Sequence, residues 1–449
     1  MIQPSILPGF MELLPEEQVL FEHVKQAIEK TYQRYGFWPL DTPAIEKNEI
    51  LFAKGGGETT KQIYHIEKGE NSVDQSLRFD LTVPLARYVA QHTSELSFPF
   101  RRYHIGKVYR GERNQKGRYR EFYQADVDVI GLDNLSVIND AECPAVIYDV
   151  FQALEIPGVH IHINHRGMLN GFFTSLGIRD ALEVLHAIDK LAKIGADAVA
   201  DLLEMNGVNP KQQEEIFRFI GLTDDRPAEE RLEAYAASLP DDAPGAEEFK
   251  QGWADLQTII KAMQGFGMPK ESIVLDLSIT RGLDYYTGVV YETFIEGYES
   301  IGSVASGGRY DDLASNFTKQ KMPGVGISIG LTRLFYQLRQ ADLIRPKKGD
   351  YITALIIPMS AEELDFALEC VHALRKEGIT VQLYTETGRM KKKFSYADAE
   401  GVRFTIILGE SERKEKKISL KNMESGEQTT MTLAEAIDIM RDASGRGNE

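Results

Sequence analysis

The segment RGLDYYTG, residues 281–288, groups an arginine with two adjacent tyrosines and two glycines. An arginine carries a fixed positive charge and a planar set of donors that suits a carboxylate or a phosphate. The tyrosines offer flat apolar faces with a hydroxyl each, and the glycines let the backbone approach a ligand closely. The segment is therefore suited to holding a small polar molecule, but on spacing alone an edge strand that exposes its arginine is the favoured interpretation.

A second cluster is strongly basic. Residues 101–120, RRYHIGKVYRGERNQKGRYR, hold eight lysines and arginines against one acid, Glu112, with three tyrosines interleaved. Such a segment can bind a polyphosphate and stack on bases. A solvated cationic hairpin explains the tip near Lys116, but it does not explain Arg110, which the flanking strands would place on the sheet. Because burying an unpaired cation is costly, we expect an anionic partner for Arg110.

The strand predicted after this loop has an unusual polar face. In REFYQADVDVIG, residues 120–131, the side chains of Gln124, Asp126 and Asp128 project from one face, and mostly apolar side chains project from the other. A face that carries two carboxylates is not typical of a core strand. We expect the side chains of this face to contact water or a ligand.

Other segments supply the elements that position these residues. Residues 15–36 predict an amphipathic helix, and the prolines in residues 37–46 predict an edge strand or an interface. The segment GVGISIGLTRL, residues 324–334, predicts a buried strand that feeds a helix with Arg333 in its first turns. Residues 180–265 have a helical pattern and predict an inserted domain. After residue 350, alternating β and α segments predict a small α/β domain.

Composition narrows the class of protein. The chain has 449 residues and a formal net charge of −17, which alone argues against a protein wrapped in nucleic acid. A local basic loop on an acidic body can still meet phosphate. No stretch approaches the run of about 20 apolar residues that crosses a bilayer, and the N-terminus lacks the features of a signal peptide. The two cysteines, Cys143 and Cys370, have no metal-ligand spacing, and a reducing cytoplasm is expected.

Four motifs carry a resemblance to a known family. The segment YRGERNQKGRYREFYQ, residues 109–124, resembles motif 2 of the class II aminoacyl-tRNA synthetases, and residues 324–334 resemble motif 3. RGLDYYTGVVYE, residues 281–292, is similar to a signature of the histidine enzymes, and SGGRYDDL, residues 306–313, resembles its companion. Because the motifs occur in the family's order, the chain is identified as a member of the histidyl-tRNA synthetases.

The resemblance implies a fold, an activity and partners. The expected fold is α+β: an antiparallel class II catalytic sheet with flanking helices over residues 1–340, a helical insertion over about 180–265, and an α/β anticodon-binding domain over 350–440. The implied reaction activates histidine with ATP to histidyl-adenylate and transfers it to the 3′ end of histidine tRNA. Magnesium would bridge the phosphates, with no metal site built by the protein alone. A cytoplasmic homodimer is implied, with its interface near the first helix and Pro43.

The resemblance also assigns roles to individual residues. Arg110 would hold the α-phosphate of ATP, Glu112 would lie near the adenine or the metal, and Arg333 would clamp the nucleotide from the other side. Arg281 would lie against the α-phosphate and the histidine carboxylate, so that Arg110 and Arg281 are the expected catalytic residues. A fixed guanidinium there stabilises the charge that develops on the phosphoryl oxygens.

Histidine itself would be held by a second set of side chains. Asp80 would receive the α-ammonium group, with Thr82 and Gln124 nearby, while Asp128 and Tyr286 would bind the two imidazole nitrogens. Tyr285 is a further candidate for histidine binding. A neutral imidazole has one donor and one acceptor, so a carboxylate at one end and a hydroxyl at the other can read it.

For the tRNA, the resemblance points to Arg113, Gln115 and Arg118, which would meet the acceptor end through bases or through phosphates. Residues 386–421 in the C-terminal domain hold ten lysines and arginines against six acids, a modest basic footprint. Two departures from the family pattern stand out, GFMEL near the N-terminus and GLTRL in motif 3. Neither removes a residue with a direct role in the expected chemistry.

Two alternative functions remain open from the sequence. The first is a catalytically inactive paralogue that serves as the regulatory subunit of the first enzyme of histidine biosynthesis, a family that lacks the C-terminal domain and tends to lose the signature arginine. The second is a tRNA-sensing module. The presence of Arg110, Arg281 and Arg333 together favours catalysis over both.

Overall fold

The computed structural model describes residues 2–53, 61–69, 71–112, 117–178, 180–280, 286–298, 301–346 and 351–443. Four residues with predicted roles, Arg113, Gln115, Arg281 and Tyr285, lie outside the described residues. The chain divides into two compact units, one of Met1–Glu12 with His23–Ile344 and one of Leu13–Glu22 with Arg345–Glu449. None of the described helices combines the length and the apolar composition that crossing a membrane requires.

The first unit is organised around an eight-stranded, largely antiparallel sheet. Its order is β1-β5-β6-β11-β10-β9-β7-β8, and only the β1–β5 and β7–β8 pairs are parallel. The strands are β1 Trp38–Pro39, β5 Phe100–Tyr109, β6 Glu121–Ile130, β7 Val159–His165, β8 Ile273–Leu275, β9 Val289–Ile295, β10 Ala305–Tyr310 and β11 Gly324–Ile329. The expected antiparallel sheet is therefore present, with the proline-bearing β1 at its edge.

Helices and a smaller sheet complete this unit. The three-stranded sheet has the order β2-β4-β3, with strands β2 Ile45–Lys47, β3 His65–Lys68 and β4 Asn71–Leu77. The flanking helices are α1 Pro15–Arg34, α2 Asn48–Leu51, α3 Thr82–Gln91, α4 Ile138–Ala153, α5 Arg166–Ser175 and α11 Leu331–Gln340. Helix α4 packs on β11 with apolar residues such as Val146 and Ile147, both fully buried. This burial anchors the centre of the large sheet.

Residues 181–265 contain five helices in succession. They are α6 Ala181–Ile188, α7 Leu191–Met205, α8 Pro210–Ile220, α9 Ala228–Ser238 and α10 Ala246–Gly265. An aromatic cluster connects three of them to α5: Phe172 stacks on Phe219 at a centroid distance of 3.9 Å, and Tyr235 and Phe249 meet these rings edge-on. Such ring pairs add to the stability gained from apolar burial, so the helical region packs firmly on α5.

The second unit is a five-stranded α/β sheet of order β13-β12-β14-β15-β16, in which β13, β12 and β14 are parallel. Its strands are β12 Ala354–Pro358, β13 Val381–Leu383, β14 Phe404–Leu408, β15 Ile418–Asn422 and β16 Gln428–Met431, and its helices are α12 Leu364–Lys376, α13 Met390–Ala399, α14 Glu410–Glu415 and α15 Leu433–Ala443. Alternate residues of β12 enter two separate apolar clusters, so both faces of the sheet are covered.

Glycines in the large sheet make room for polar side chains on one face. A Cβ atom added to Gly326 on β11 would lie 2.0 Å from Oδ1 of Asp128, and one added to Gly308 on β10 would lie 2.9 Å from the Tyr286 ring. Gly308 and Gly326 are directly opposite each other in the ladder, so the positions that their side chains would occupy lie on the same face of the sheet. Gly308 of SGGRYDDL and Gly326 of GVGISIG are thus required by the close approach of the side chains that cover them.

We predict that Gly326→Ala lowers the free energy of unfolding by about 1–3 kcal/mol, the usual cost of forcing extra atoms into a packed core. Urea unfolding measures the change. Gly265→Ala is the matched control, because a Cβ atom at that helical position meets nothing within 4 Å, and it should leave stability unchanged or slightly raised. Equal stability of the two variants would contradict the argument from space.

Candidate active site

One cavity of about 420 Å³ opens on the glycine-bearing face of the large sheet. Its walls come from the loops that follow β5 and precede β6, from the start of α3, from β9 and β10, and from the start of α11. Eight of the residues predicted from the sequence line it: Asp80, Thr82, Arg110, Glu112, Arg118, Gln124, Tyr286 and Arg333. Residues that lie more than 250 positions apart in the chain, such as Asp80 and Arg333, are therefore brought to one site.

Asp80 is a buried carboxylate with one oxygen unused. Its Oδ1 accepts a hydrogen bond of 3.1 Å from the backbone N–H of Val83 and so caps the first turn of α3. Its Oδ2 is buried and has no hydrogen-bond partner among the described residues. Burial raises the pKa of Asp80 to about 6, although the Val83 N–H and the charge of Arg110 oppose this rise. A buried, unpaired oxygen of this kind is suited to a cationic ligand.

Arg110 lies immediately after β5, where the sheet gives way to the basic loop. Its Nε donates to the carbonyl of Phe79 at 2.9 Å, and its guanidinium lies 5.1 Å from the centroid of the Phe122 ring. These contacts fix the side chain and leave its Nη groups on the cavity side of a rigid plane. Nη1 lies 4.0 Å from Oε1 of Glu112, which is too long for a strong ion pair.

Glu112 and Arg118 form the outer wall. Arg118 donates to Oε2 of Glu112 at 3.4 Å and is about half exposed. An exposed pair of this length is weak and can rearrange when an anion or a metal ion arrives.

Arg333 enters the cavity from the opposite side. It lies in the first turn of α11, where the strand–glycine–helix order of motif 3 places it, and its Nη2 donates to the carbonyl of Ile301 at 3.0 Å. Because Arg110 and Arg333 project from different edges of one cavity, an anion between them would meet positive charge on two sides.

Gln124 lies at the inner end of the cavity. Its Nε2 donates to Oγ of Ser328 at 2.8 Å, while its Oε1 is buried without a partner in the described part of the chain. An amide oxygen held in this way can accept a hydrogen bond from an ammonium group, as can Oδ2 of Asp80.

Asp128 does not line the cavity but lies beneath it. It is buried, its Oδ2 is 2.6 Å from Nη2 of Arg102, and its Oδ1 accepts a hydrogen bond of 2.7 Å from the Tyr310 hydroxyl. Tyr286 covers the glycine next to the one that Asp128 covers, so the two side chains occupy neighbouring positions on one face. The reading of an imidazole by this pair remains a prediction.

The polar face of β6 differs from expectation in one respect. We expected it to look at water or at a ligand, and Gln124 does line the cavity. Asp126 and Asp128, however, are 2% and 3% exposed and face a layer of buried charge. Burial raises the pKa of Asp126 to about 7, a rise that Arg102 opposes and Asp128 reinforces.

Sequence reasoning missed several residues of the site. The cavity is also lined by Tyr291, Glu292, Ser303, Val304, Ala305, Ser306 and Gly307. Arg102 was counted only as one of eight basic residues, although its alternation with His104 on β5 could have placed it opposite Asp128. Arg309, whose role the sequence left open, donates to both oxygens of Asp140 at 2.9 Å and so secures the start of α4.

Comparisons with known proteins identify the family of the chain. A family model described as histidyl-tRNA synthetase matches residues 9–334, and one described as an anticodon binding domain matches residues 353–443. The chain belongs to the histidyl-tRNA synthetase family. Membership in the histidyl-tRNA synthetases confirms the resemblance that four motifs carried, and the second match confirms the class expected for the C-terminal α/β domain.

Individual histidyl-tRNA synthetase relatives match over nearly their whole lengths. The histidine–tRNA ligase of Clostridium tetani is 50% identical over 443 residues, which cover 98% of this chain and 99% of that protein. The histidine–tRNA ligase of Finegoldia magna is 46% identical over 441 residues, covering 98% of this chain and 100% of that protein. The crystal structure of histidyl-tRNA synthetase from Nostoc sp. is 38% identical and has a TM-score of 0.89, with 99% of this chain and 100% of that chain covered.

Asp80 generates a prediction about stability. A carboxyl group whose pKa is higher in the folded state destabilises that state above the raised pKa, and the cost disappears as the pH falls from about 6 towards 3.8. We expect Asp80→Asn to raise the free energy of unfolding of the ligand-free protein at pH 8 by about 1–3 kcal/mol. The gain should shrink at pH 5 and below. Asparagine is the suitable replacement because it can still cap α3. Urea unfolding at several pH values measures the change in the free energy of unfolding.

Asp140→Asn is the matched control for this prediction. Burial also raises the pKa of Asp140 to about 6, but both of its oxygens are paired with Arg309. Its replacement leaves a buried arginine without its partner and should lower stability at pH 8. A loss of stability in both variants would show that the unpaired oxygen of Asp80 carries no cost.

Proposed function

We propose that this chain is a histidine–tRNA ligase, which activates histidine with ATP to histidyl-adenylate and transfers the histidyl group to the 3′ end of histidine tRNA. The observation that carries the proposal is the meeting, in one cavity, of the unpaired Asp80 oxygen with Arg110 and Arg333. A carboxylate for an ammonium group beside two arginines for phosphates is what an amino acid and a nucleotide require together.

In the first step, an oxygen of the histidine carboxylate attacks the α-phosphorus of ATP. A bond forms between that oxygen and phosphorus, the bond to the bridging oxygen breaks, and pyrophosphate leaves with the electron pair. Negative charge spreads over the phosphoryl oxygens during this transfer. Arg110, whose guanidinium is fixed by Phe79 and Phe122, would stabilise that charge without having to reorganise. Arg281 would do the same from the substrate's carboxylate side.

Histidine would be oriented from its two ends. Asp80, with Thr82 and Gln124, would hold the ammonium group, and Asp128 with Tyr286 would hold the imidazole. A site built on hydrogen bonds to a ring rejects side chains that lack those groups, because its own polar atoms would then be left unpaired. Tyr285 is assigned to histidine binding on the resemblance alone.

The nucleotide would lie between Arg110 and Arg333, with Mg²⁺ on its phosphates. Besides Asp80, two carboxylates line the cavity, Glu112 and Glu292, and carboxylate oxygens suit Mg²⁺, which keeps most of its ligands as water and phosphate. Residues of this kind fit such an ion, with Glu112 as the expected protein contact. When bound, Mg²⁺ would neutralise charge on the phosphates.

The tRNA would be contacted at two places. Arg118, about half exposed at the cavity mouth, fits a contact with the acceptor end, and Arg113 and Gln115 are proposed for the same end. The C-terminal unit would bind the anticodon, in agreement with the family model that matches residues 353–443. We assign the catalytic domain to residues 1–340 and the anticodon-binding domain to residues 350–440, with 180–265 as the insertion.

We further infer that the protein works in the cytoplasm as a homodimer, with the interface near α1 and Pro43. The sheet edge at β1 supports this, because Trp38 is 70% exposed there and Ile45 on the nearby β2 is 48% exposed. Exposed large apolar side chains at a sheet edge favour a protein–protein contact. Trp38→Glu should therefore shift the protein from dimer to monomer in sedimentation velocity, while Trp38→Phe should not. A wild-type monomer at micromolar concentration would contradict the dimer.

The alternative functions have less support. A regulatory paralogue or a tRNA-sensing module has no need for a cavity that joins an unpaired carboxylate to two arginines. The relatives that match over nearly the full chain carry the name of the ligase.

Histidine-dependent exchange between ATP and pyrophosphate tests the proposed function. The wild type should catalyse exchange with histidine and with none of the other amino acids. Arg281→Ala should lose roughly 100-fold or more of this activity, the scale expected when a group that stabilises transition-state charge is removed. Arg226→Ala, a change of an exposed arginine paired with Asp224 outside the cavity, should keep wild-type exchange. Histidine binding by the wild type without any exchange would favour a regulatory or sensing role.

A further inference from the structure

Arg102 is a buried cation that the roles described so far do not use. It lies on β5, is 0% exposed, and is among the largest fully buried side chains of the described chain. Its Nη2 is 2.6 Å from Oδ2 of Asp128 and 3.4 Å from the carbonyl of Leu81, the residue after Asp80. Arg102 thus connects Asp128 to the segment that supplies Asp80, the carboxylate proposed to bind the ammonium group.

The strand register explains why Arg102 meets Asp128. In the antiparallel β5–β6 ladder the two residues are directly opposite, so their side chains share a face. On the other side of β6, the residue opposite Asp128 is Gly326, which offers no side chain. With Arg102 on one oxygen and the Tyr310 hydroxyl on the other, the Asp128 carboxylate is held in one plane by two donors from different strands.

A need for stability does not explain this pair. Two charges removed from water cost free energy that their attraction recovers only when every donor is satisfied, and an apolar pair of similar volume is often as stable or more so. Here Nε and Nη1 of Arg102 have no hydrogen-bond partner among the described residues. An incompletely satisfied arginine in a sheet is therefore better explained by what it does to Asp128.

We infer that Arg102 is a positioning residue for histidine selection: it keeps the Asp128 carboxylate charged and fixed in the orientation that accepts the imidazole N–H of the substrate. This inference rests on the proposed function, in which Asp128 and Tyr286 read the imidazole. Arg102 acts through Asp128 and does not itself contact the substrate.

The electrostatics around Asp128 agree with this role. Burial raises the pKa of Asp128, and the charge of Arg102 and the Tyr310 hydroxyl oppose the rise. The titratable and charged groups that interact with Asp128 are Arg102 on β5, Asp126 on β6, Tyr310 on β10, Cys143 on α4 and Tyr32 on α1. One step further away, His104 and Asp80 lie near Asp126, and Tyr286 lies near Tyr310. Burial and the charges of Arg102 and Arg78 lower the pKa of His104 to about 2, so His104 is neutral, and Arg102 is the cation that contacts Asp128.

Without Arg102, the buried carboxylate would take up a proton at a higher pH. A protonated Asp128 cannot accept the imidazole N–H in the same way, so histidine should bind less tightly at low pH and recover as the pH rises. Arg102→Gln removes the charge and keeps a hydrogen-bond donor, whereas Arg102→Lys keeps the charge.

The experiment measures the KM for histidine in ATP–pyrophosphate exchange between pH 6.5 and pH 9, together with the KM for ATP and a thermal melt of each variant. At pH 7 we expect Arg102→Gln to raise the KM for histidine by roughly tenfold or more, the effect of a change of about 1.4 kcal/mol. That KM should fall again towards pH 9, while the KM for ATP stays within about twofold. Arg102→Lys should keep the pH profile of the wild type.

Asp128→Asn serves as the partner in a double-mutant cycle. If Arg102 acts through Asp128, adding Arg102→Gln to Asp128→Asn should change the KM for histidine little further. The double variant removes both members of the Arg102–Asp128 ion pair, so it also decides the question if Arg102→Gln alone does not fold. A full additional loss in the double variant would overturn the inference.

Arg78→Gln is the matched control. Arg78 is also a buried arginine of this unit, 4% exposed, but its Nε donates to the carbonyl of Lys107 at 2.8 Å and it does not contact Asp128. An equal pH-dependent rise in the KM for histidine from Arg78→Gln would assign the effect to general loss of buried charge and overturn the role of Arg102. A wild type without histidine-dependent exchange would instead refute the proposed function.

Discussion

Carboxylates buried on one face of a β-sheet are the constraint on which this site depends. A charged group inside a protein must be paired or must change its protonation state. Gln124, Asp126 and Asp128 alternate along β6, and the sheet solves the problem of their burial with a cation from β5, a hydroxyl from β10 and bare glycines on β11. Each solution comes from a neighbouring strand, so the order of the strands is as important to the site as the residues themselves.

The cavity above this layer follows from the same arrangement. Side chains on the glycine-bearing face can lie flat, which leaves space over the sheet for a ligand. The walls are then built by segments that enter and leave the sheet at its edges: the start of α3, the loop after β5 and the start of α11. The two arginines of the cavity come from separate segments, Arg110 from the residues after β5 and Arg333 from the start of α11.

Much of the fold and of the candidate site could be predicted from the sequence, whereas the rest depends on contacts between residues that are far apart in the chain. Periodicity predicted α1, the β5–β6 hairpin and the strand–helix junction before Arg333, because each depends on neighbours within about ten residues. Alternation predicted the polar face of β6 but not its burial, since that depends on Arg102, Tyr310 and the Leu81 carbonyl, which come from other parts of the chain. Arg102 belongs to the basic cluster of residues 101–120, whose excess of positive charge indicated phosphate binding and not an ion pair within the sheet. Family motifs, and not periodicity, brought Asp80 and Tyr286 into the site.

The two oxygens of Asp80 differ in their hydrogen bonding, and this difference affects how a cationic ligand would bind. One oxygen is committed to the first turn of α3 and the other is unused, with a pKa of about 6 for the group. Near neutral pH, a fraction of the ligand-free molecules therefore carries a proton on Asp80. In that fraction, a cationic ligand at the unused oxygen would displace the proton. The heat of such binding would then include the ionisation of whichever buffer accepts the proton.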